Sequence, residues 1–106
     1  MATIKVEIIQ GSTERRDYSF TNGFSIGRDR ACEIQISTDA SISRNHAQVL
    51  YQDDGWWLKD LTSTNGTFVD DQKINLLPIR CQTKVRLGTG STILLLSPEV
   101  VHIEPQ

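Results

Sequence analysis

The sequence contains little of what metal sites and disulfide-rich folds require. Only two cysteines, Cys32 and Cys81, occur in 106 residues. They form no C-x-x-C pair, and no group of His and Cys residues has the spacing of a zinc site. We therefore expect no metal, and we interpret both cysteines as small buried thiols. A single disulfide between them stays open as an alternative for an exported chain.

Long apolar runs and an excess of basic residues are also missing. The longest apolar run, residues 93–96, is far too short for a transmembrane segment, and the N-terminus lacks the basic-then-apolar layout of a secretory signal. We accordingly expect a cytoplasmic protein that does not contact membranes. The net charge of −2 argues against nucleic-acid binding, which needs a basic domain or stripe. Any anion must therefore be met by a local cluster of cations, which favours a small, highly charged target.

The residue sets that catalysis requires are not evident either. Ser43 and His46 could suggest a nucleophile and its base, but they lie only three residues apart and no third, orienting acid is evident. Asp29, Asp39 and Asp60 are scattered and have turn-like surroundings. No P-loop or dinucleotide-binding glycine pattern occurs. We therefore expect no cofactor and no enzymatic activity.

The chain is rich in short segments that alternate apolar and polar residues. Turn residues separate these segments, as at residues 22–23 and 53–55, and no stretch of ten or more residues has helical periodicity with caps. Such strands in one domain of this length predict a β-sandwich, with a small barrel as the alternative. Because adjacent strand residues face opposite ways, we expect one of Trp56 and Trp57 in the core and the other partly exposed. The predicted strands are residues 3–8, 18–20, 24–26, 33–36, 46–52, 56–60, 67–69, 84–87, 93–96 and 100–103.

Three loops carry an unusual density of hydrogen-bonding residues. The sheets of a sandwich act as a scaffold, so we expect recognition to lie in loops at one end. Read alone, each loop has an ordinary structural explanation: arginines after a strand are commonly solvated, and Ser, Asn and Gly commonly form turns. The three loops are residues 27–30, 41–46 and 61–67.

Taken together, the three loops resemble those of one family. Gly27-Arg28, then Ser43-Arg44-Asn45-His46, then Asp60-Leu61 through Thr64-Asn65-Gly66-Thr67 have the order and separations of the GR, SxxH and NG elements of the forkhead-associated (FHA) domain. The resemblance covers nearly the whole chain. It implies an all-β sandwich of about eleven strands in two twisted, mainly antiparallel sheets (FHA/SMAD-like). On this interpretation the FHA domain covers residues 1–98, and residues 99–106 form a final strand and a C-terminal tail that can lead into a linker.

The resemblance implies a module that binds phosphothreonine in an extended peptide. A phosphothreonine carries a charge of about −1.5 to −2 and three strong acceptor oxygens, so its site needs forked cationic donors and smaller neutral donors. Ser43 offers a backbone N–H besides its hydroxyl. By resemblance, Asn65 holds the peptide backbone next to the phosphothreonine. The residues interpreted as phosphate-binding supply two cations and two hydroxyls: Arg28, Arg44, Ser43 and Thr64.

Other residues of the same loops are interpreted as structural support. Gly27 lets the strand end in a tight geometry. His46 is expected to hydrogen-bond within the loops and to fix Ser43, and Gly66 serves the turn that presents the asparagine. Arg30 is interpreted as a solvent-facing charge.

Two questions stay open at the level of sequence. Ser41 and Ile42 carry no charge, so they give no basis for selecting an acidic or basic residue about three positions after the phosphothreonine. The alternative function is a self-association or scaffold module that uses the sandwich surface without phosphate. The expected partner is a phosphothreonine-containing protein or peptide, bound by a monomeric domain that can belong to a longer protein.

Overall fold

The computed structural model describes residues 2–11 and 14–99, which fold into two β-sheets that share one apolar core. This confirms the predicted all-β sandwich of mainly antiparallel strands, whereas the barrel alternative is wrong. The eleven strands are β1 (Thr3–Gln10), β2 (Glu14–Phe20), β3 (Phe24–Gly27), β4 (Ile34–Gln35), β5 (Ala47–Gln52), β6 (Gly55–Asp60), β7 (Thr67–Val69), β8 (Gln72–Lys73), β9 (Leu76–Ile79), β10 (Thr83–Leu87) and β11 (Thr92–Glu99).

The two sheets differ in their number of strands and in the directions in which neighbouring strands run. The six-stranded sheet has the order β2-β1-β11-β10-β7-β8, so the first and last strands lie side by side within it. The five-stranded sheet has the order β4-β3-β5-β6-β9, and β3 and β4 form its parallel pair.

None of the described residues belongs to a helix with the length and hydrophobicity that a membrane crossing demands.

The alternation in the sequence determines which side chains form the core. In β1, Ile4, Val6 and Ile8 face the other sheet and are at most 1% exposed, because successive strand residues face opposite sides. Trp56 is buried and Trp57 is half-buried, which confirms the opposite orientations predicted for them. The remaining core residues are Phe24, Ile26, Ile34, Ile36, Ile42, Ala47, Val49, Leu58, Ile79, Val85, Leu87, Leu94 and Leu96.

The two cysteines have different environments. Both thiols are free, and Cys32 is buried whereas Cys81 is exposed. The prediction of two buried thiols is therefore wrong for Cys81, which lies between β9 and β10 and outside the core. The alternative of a disulfide between the two is wrong as well. Burial raises the pKa of the Cys32 thiol, which is consequently neutral at physiological pH.

Several strands differ from their predicted extents or connections. The turn at residues 22–23 does not close a hairpin, because β2 and β3 belong to different sheets and the turn carries the chain between them. The turn residues at 53–55, by contrast, join β5 and β6 in an antiparallel hairpin. Strands β8 and β9 were not predicted; β8 has two polar residues and β9 contains Pro78, which an edge strand tolerates. The predicted strand at residues 100–103 lies outside the described residues.

Candidate functional site

The three polar loops emerge at the same end of the five-stranded sheet. Ile26, near the end of β3, pairs with Ala47 at the start of β5, and Ala47 pairs with Asp60 at the end of β6. Because both pairings are antiparallel, the segments after β3, before β5 and after β6 must lie side by side. The strand order therefore brings together residues that are far apart in the sequence.

Arg28 is exposed, and hydrogen bonds to the second loop hold its backbone and one nitrogen of its guanidinium. Its Nε donates a hydrogen bond to the carbonyl oxygen of Ile42, and its backbone N–H donates to the Ser43 carbonyl at 3.0 Å. Gln35 donates to the Arg28 carbonyl at 3.1 Å. Across the described residues, the two terminal guanidinium nitrogens have no hydrogen-bond or ionic partner. The exposed side chain is thus held at its base and free at its forked end.

Gly27 allows the first and second loops to approach closely. A Cβ atom at this position would lie 2.0 Å from the Arg44 carbonyl oxygen and 3.0 Å from the Ser43 carbonyl oxygen. The backbone N–H of Asp29 donates to the same Arg44 carbonyl at 3.1 Å. A residue without a side chain is therefore required for the backbone contacts that place Arg28 beside Ser43.

Ser43 lies at the contact between the second and third loops. Its Oγ accepts a hydrogen bond from the backbone N–H of Thr64 at 2.9 Å, which leaves the hydroxyl proton available to a ligand. Its own backbone N–H donates to His46 Nδ1 at 3.0 Å. The expectation that this N–H is free for a ligand is therefore wrong, because the imidazole already accepts it.

The buried side chain of His46 hydrogen-bonds to both the second and the third loop. The side chain is fully buried, its Nδ1 accepts from Ser43, and its Nε2 lies 2.8 Å from the Gly66 carbonyl oxygen. An Nδ1 that accepts requires the proton on Nε2, so the ring is neutral and donates to Gly66. Burial lowers the pKa of His46, against the opposing effects of the Gly66 carbonyl and the charges of Asp60 and Asp39. The ring has no surface for a ligand to contact.

The third loop turns at Gly66 and presents Thr64 and Asn65. Gly66 has a φ of 92°, which a side chain would strain, and its N–H donates to Ser63 Oγ at 3.0 Å. The Asn65 amide donates to the Ser41 carbonyl at 2.9 Å. Its second amide hydrogen and its carbonyl oxygen have no partner within the described part of the chain. The exposed Thr64 side chain likewise leaves its hydroxyl available.

Asp60 braces the third loop from inside. Its carboxylate accepts from Ser63 Oγ at 2.5 Å, from the Ser63 N–H at 3.1 Å and from Thr67 Oγ1 at 2.7 Å. Burial by itself would raise the pKa of Asp60, but these hydrogen bonds together lower it. Asp60 belongs to the third element of the resemblance but was given no role there, and as a possible catalytic acid it was one of several scattered residues. Its spacing of three and seven residues from the serine and the threonine was the signal that could have predicted these hydrogen bonds.

The three loops carry three exposed arginines, Arg28, Arg30 and Arg44, whereas the carboxylates of Asp39 and Asp60 beside them are occupied by internal hydrogen bonds. Arg44 and Arg30 are exposed, and neither forms an ion pair with another described residue. Asp29 is the nearby acid in the first loop, and its carboxylate accepts from the Ala31 N–H at 2.9 Å. Residues 2–11 and 14–99 contain no group of three His, Cys, Asp or Glu side chains that could hold a metal ion. The site therefore offers cationic and neutral donors to an anion.

Comparisons with known sequences point to one family. A family model described as FHA domain matches residues 24–95. The chain is also 32% identical over 98 residues to the serine/threonine-protein kinase RAD53 of Saccharomyces cerevisiae. That match covers 88% of this chain but 12% of the kinase, so the chain spans only a small part of this relative's length.

Comparisons with solved structures give the same fold. The FHA domain of the CT664 protein from Chlamydia trachomatis matches with a TM-score of 0.80 and 26% identity, covering 92% of this chain and 99% of that domain. A second match comes from a structural and functional analysis of phosphothreonine-dependent FHA domain interactions. Its TM-score is 0.77 at 21% identity, over 93% of this chain and 99% of the other.

Proposed function

Because this chain belongs to the forkhead-associated (FHA) domain family, we propose that it binds phosphothreonine in an extended peptide and thereby mediates phosphorylation-dependent protein–protein interaction. The observation that carries the proposal is the state of Arg28. Its Nε is held by the Ile42 carbonyl, while the terminal nitrogens have no partner among the described residues. A guanidinium fixed in this way presents two parallel donors, which matches the geometry of a phosphate.

The remaining phosphate oxygens would be met by the neighbouring loops. Ser43 can donate its hydroxyl proton because its oxygen already accepts from Thr64. Arg44 adds a second cation, which has no ion-pair partner in residues 2–11 and 14–99, and the exposed Thr64 hydroxyl would lie at the rim. Hydrogen bonds to a charged group contribute about 1.5–3 kcal/mol each, so several of them give a phosphate-dependent affinity. Gly27, His46 and Gly66 would support this arrangement without contacting the ligand.

Asn65 would hold the peptide rather than the phosphate. Its free amide hydrogen and carbonyl oxygen match the carbonyl and N–H groups that an extended peptide backbone presents. Such contacts fix the direction of the peptide and do not read its side chains. The specificity would therefore come from the phosphate, and the contacts of Asn65 with the peptide backbone would add affinity.

The FHA domain is a binding module, and we propose that this one acts as such within a longer cytoplasmic protein. Support for the longer protein comes from RAD53, of which the chain matches 12%. We expect the domain itself to be monomeric. Light scattering of the isolated chain gives its mass directly, and a concentration-independent dimer would contradict this expectation.

The proposal is tested by calorimetric titration of a phosphothreonine peptide library. Each peptide is compared with its unphosphorylated form and with the phosphoserine form of the same sequence. We expect measurable binding only for phosphorylated peptides. Equal binding of phosphorylated and unphosphorylated peptides would contradict the proposal and favour the phosphate-independent scaffold function instead.

A further inference from the structure

Ser41 forms a junction between three separate segments of the chain. Its Oγ donates to Asp39 Oδ1 at 2.6 Å and accepts from the backbone N–H groups of Thr89 and Gly90, each at 3.1 Å. Its backbone carbonyl accepts from the Asn65 amide at 2.9 Å. The position of this residue, which begins the second loop, is therefore linked to Asp39, to the third loop and to the turn between β10 and β11.

Asp39 determines where Ser41 lies. Besides the Ser41 hydroxyl, its Oδ1 accepts the Ser41 backbone N–H at 3.0 Å, and its Oδ2 accepts from Thr92 Oγ1 at 2.7 Å. Thr92 is 1% exposed and belongs to β11, so the carboxylate is anchored to the sheet. Burial alone would raise the pKa of Asp39, but the hydrogen bonds from Ser41 and Thr92 lower it, so the group is ionised at neutral pH.

The turn between β10 and β11, residues 88–91, packs closely against Asp39 and Ser41. A Cβ at Gly88 would lie 2.5 Å from Ser41 Oγ, and a Cβ at Gly90 would lie 2.5 Å from Asp39 Oδ2. Gly88 also has a φ of 69°, in the region that favours glycine. The two glycines let the backbone approach closely enough for its N–H groups to reach the serine oxygen. Asp39 is therefore held by Thr92 of β11, and Ser41 is held by the backbone of the turn between β10 and β11.

We propose that Asp39 is a positioning residue for the peptide-binding amide of Asn65, acting through Ser41. This inference rests on the proposed function. The Ser41 carbonyl takes one amide hydrogen of Asn65, which fixes the plane of the amide and leaves its other hydrogen and its oxygen for a peptide backbone. Without the carboxylate, Ser41 loses the two hydrogen bonds that its N–H and its hydroxyl make with Asp39, so its carbonyl is held less firmly and the Asn65 amide has more orientations to lose on binding.

A double-mutant cycle tests this coupling. Asp39→Ala should weaken binding of a phosphothreonine peptide about three- to tenfold, the effect of about one hydrogen bond. In an Asn65→Ala background the same change should cost less than about twofold, because the residue through which Asp39 acts is gone. Full additivity of the two penalties would overturn the proposal. Asp39→Asn retains an acceptor for Ser41 and should restore most of the affinity.

Thr38→Ala is the matched control in the same segment, because the Thr38 hydroxyl accepts from Gln10 and not from the peptide-site loops. We expect it to leave peptide affinity unchanged. If Asp39→Ala does not fold, Ser41→Ala removes only the hydroxyl and enters the same cycle with Asn65→Ala, with the same two outcomes.

The NMR signals of the Asn65 side-chain amide give a readout that needs no peptide. Asp39→Ala should shift and broaden them, whereas Thr38→Ala should not. Unchanged Asn65 signals in Asp39→Ala would also overturn the proposal. Failure of the unmodified chain to bind any phosphothreonine peptide would contradict the proposed function instead, and the NMR comparison would still decide whether Asp39 orients Asn65.

Discussion

The Nε2 of His46 lies 2.8 Å from the carbonyl oxygen of Gly66, so one buried ring joins the loop before β5 to the loop before β7. The other ring nitrogen accepts the N–H of Ser43. Both loops of the proposed phosphate site therefore depend on the same neutral imidazole. Protonation would turn Nδ1 into a donor facing another donor, which makes the site sensitive to acid.

We expect the stability of the domain to fall as the pH decreases. In the folded chain the pKa values of His46, Asp39 and Asp60 are all lowered, so the unfolded chain binds more protons in acid. The His46 contribution is complete above its unfolded value of 6.5 and is lost below it. The two carboxylates contribute above their unfolded value of 3.8 and lose this contribution only at lower pH.

The histidine contribution can be measured by urea unfolding between about pH 7.5 and about pH 5, where His titrates and Asp does not. The free energy of unfolding should decrease over this range in the unmodified chain. His46→Ala should be less stable by about 2–4 kcal/mol at neutral pH, because it removes two hydrogen bonds and leaves a cavity. Its stability should then vary little with pH. An equally steep decline in the variant would assign the effect to other groups.

Gly27→Ala should damage both the fold and the site. The added Cβ would meet the Arg44 carbonyl oxygen at 2.0 Å, and rigid backbone cannot move aside without displacing the second loop. We expect a loss of about 1–3 kcal/mol or more of unfolding free energy, together with weaker phosphopeptide binding. Chemical unfolding and calorimetry measure the two effects.

Gly55→Ala is the matched control for this substitution, since a Cβ there has nothing within 4 Å and Gly55 is not among the positive-φ glycines. It should change stability by no more than about 0.5 kcal/mol. If both alanines cost the same, the close contact of Gly27 with the second loop is not what makes glycine necessary.

The sequence predicted the scaffold better than the internal contacts of the site. Period-two alternation identifies a strand and its buried face, so the core side of β1 followed directly. The same alternation says nothing about which strand is the partner, and so the sheet change at residues 22–23 was missed. Arg28, Ser43 and Asn65 were predicted as site residues because their loops are polar and resemble a known pattern. The N–H of Ser43 already donates to His46, and one amide hydrogen of Asn65 already donates to Ser41. Such contacts join residues of different loops or depend on loop conformation, so the sequence pattern does not predict them.

Arg28→Ala should reduce the affinity for a phosphothreonine peptide at least tenfold, because charge-assisted hydrogen bonds contribute about 1.5–3 kcal/mol each. Arg28→Lys should recover only part of this loss, since an ammonium retains the charge but not the forked pair of donors. Arg30→Ala removes an exposed arginine of the same loop and should change the affinity less than about threefold. Equal losses for Arg28→Ala and Arg30→Ala would show that general positive charge, and not the fixed guanidinium, attracts the ligand.

The penalties of Arg28→Ala and Asn65→Ala should respond differently to salt. Exposed charge pairs are screened at high ionic strength, so the affinity of the unmodified chain and the penalty of Arg28→Ala should both shrink as salt is added. Asn65 is neutral, and its contacts with a peptide backbone should contribute about 0.5–1.5 kcal/mol at any ionic strength. Calorimetric titrations of the three proteins at low and high salt separate the two contributions. If the Asn65→Ala penalty falls with salt in parallel with that of Arg28→Ala, Asn65 contacts the phosphate and not the peptide backbone.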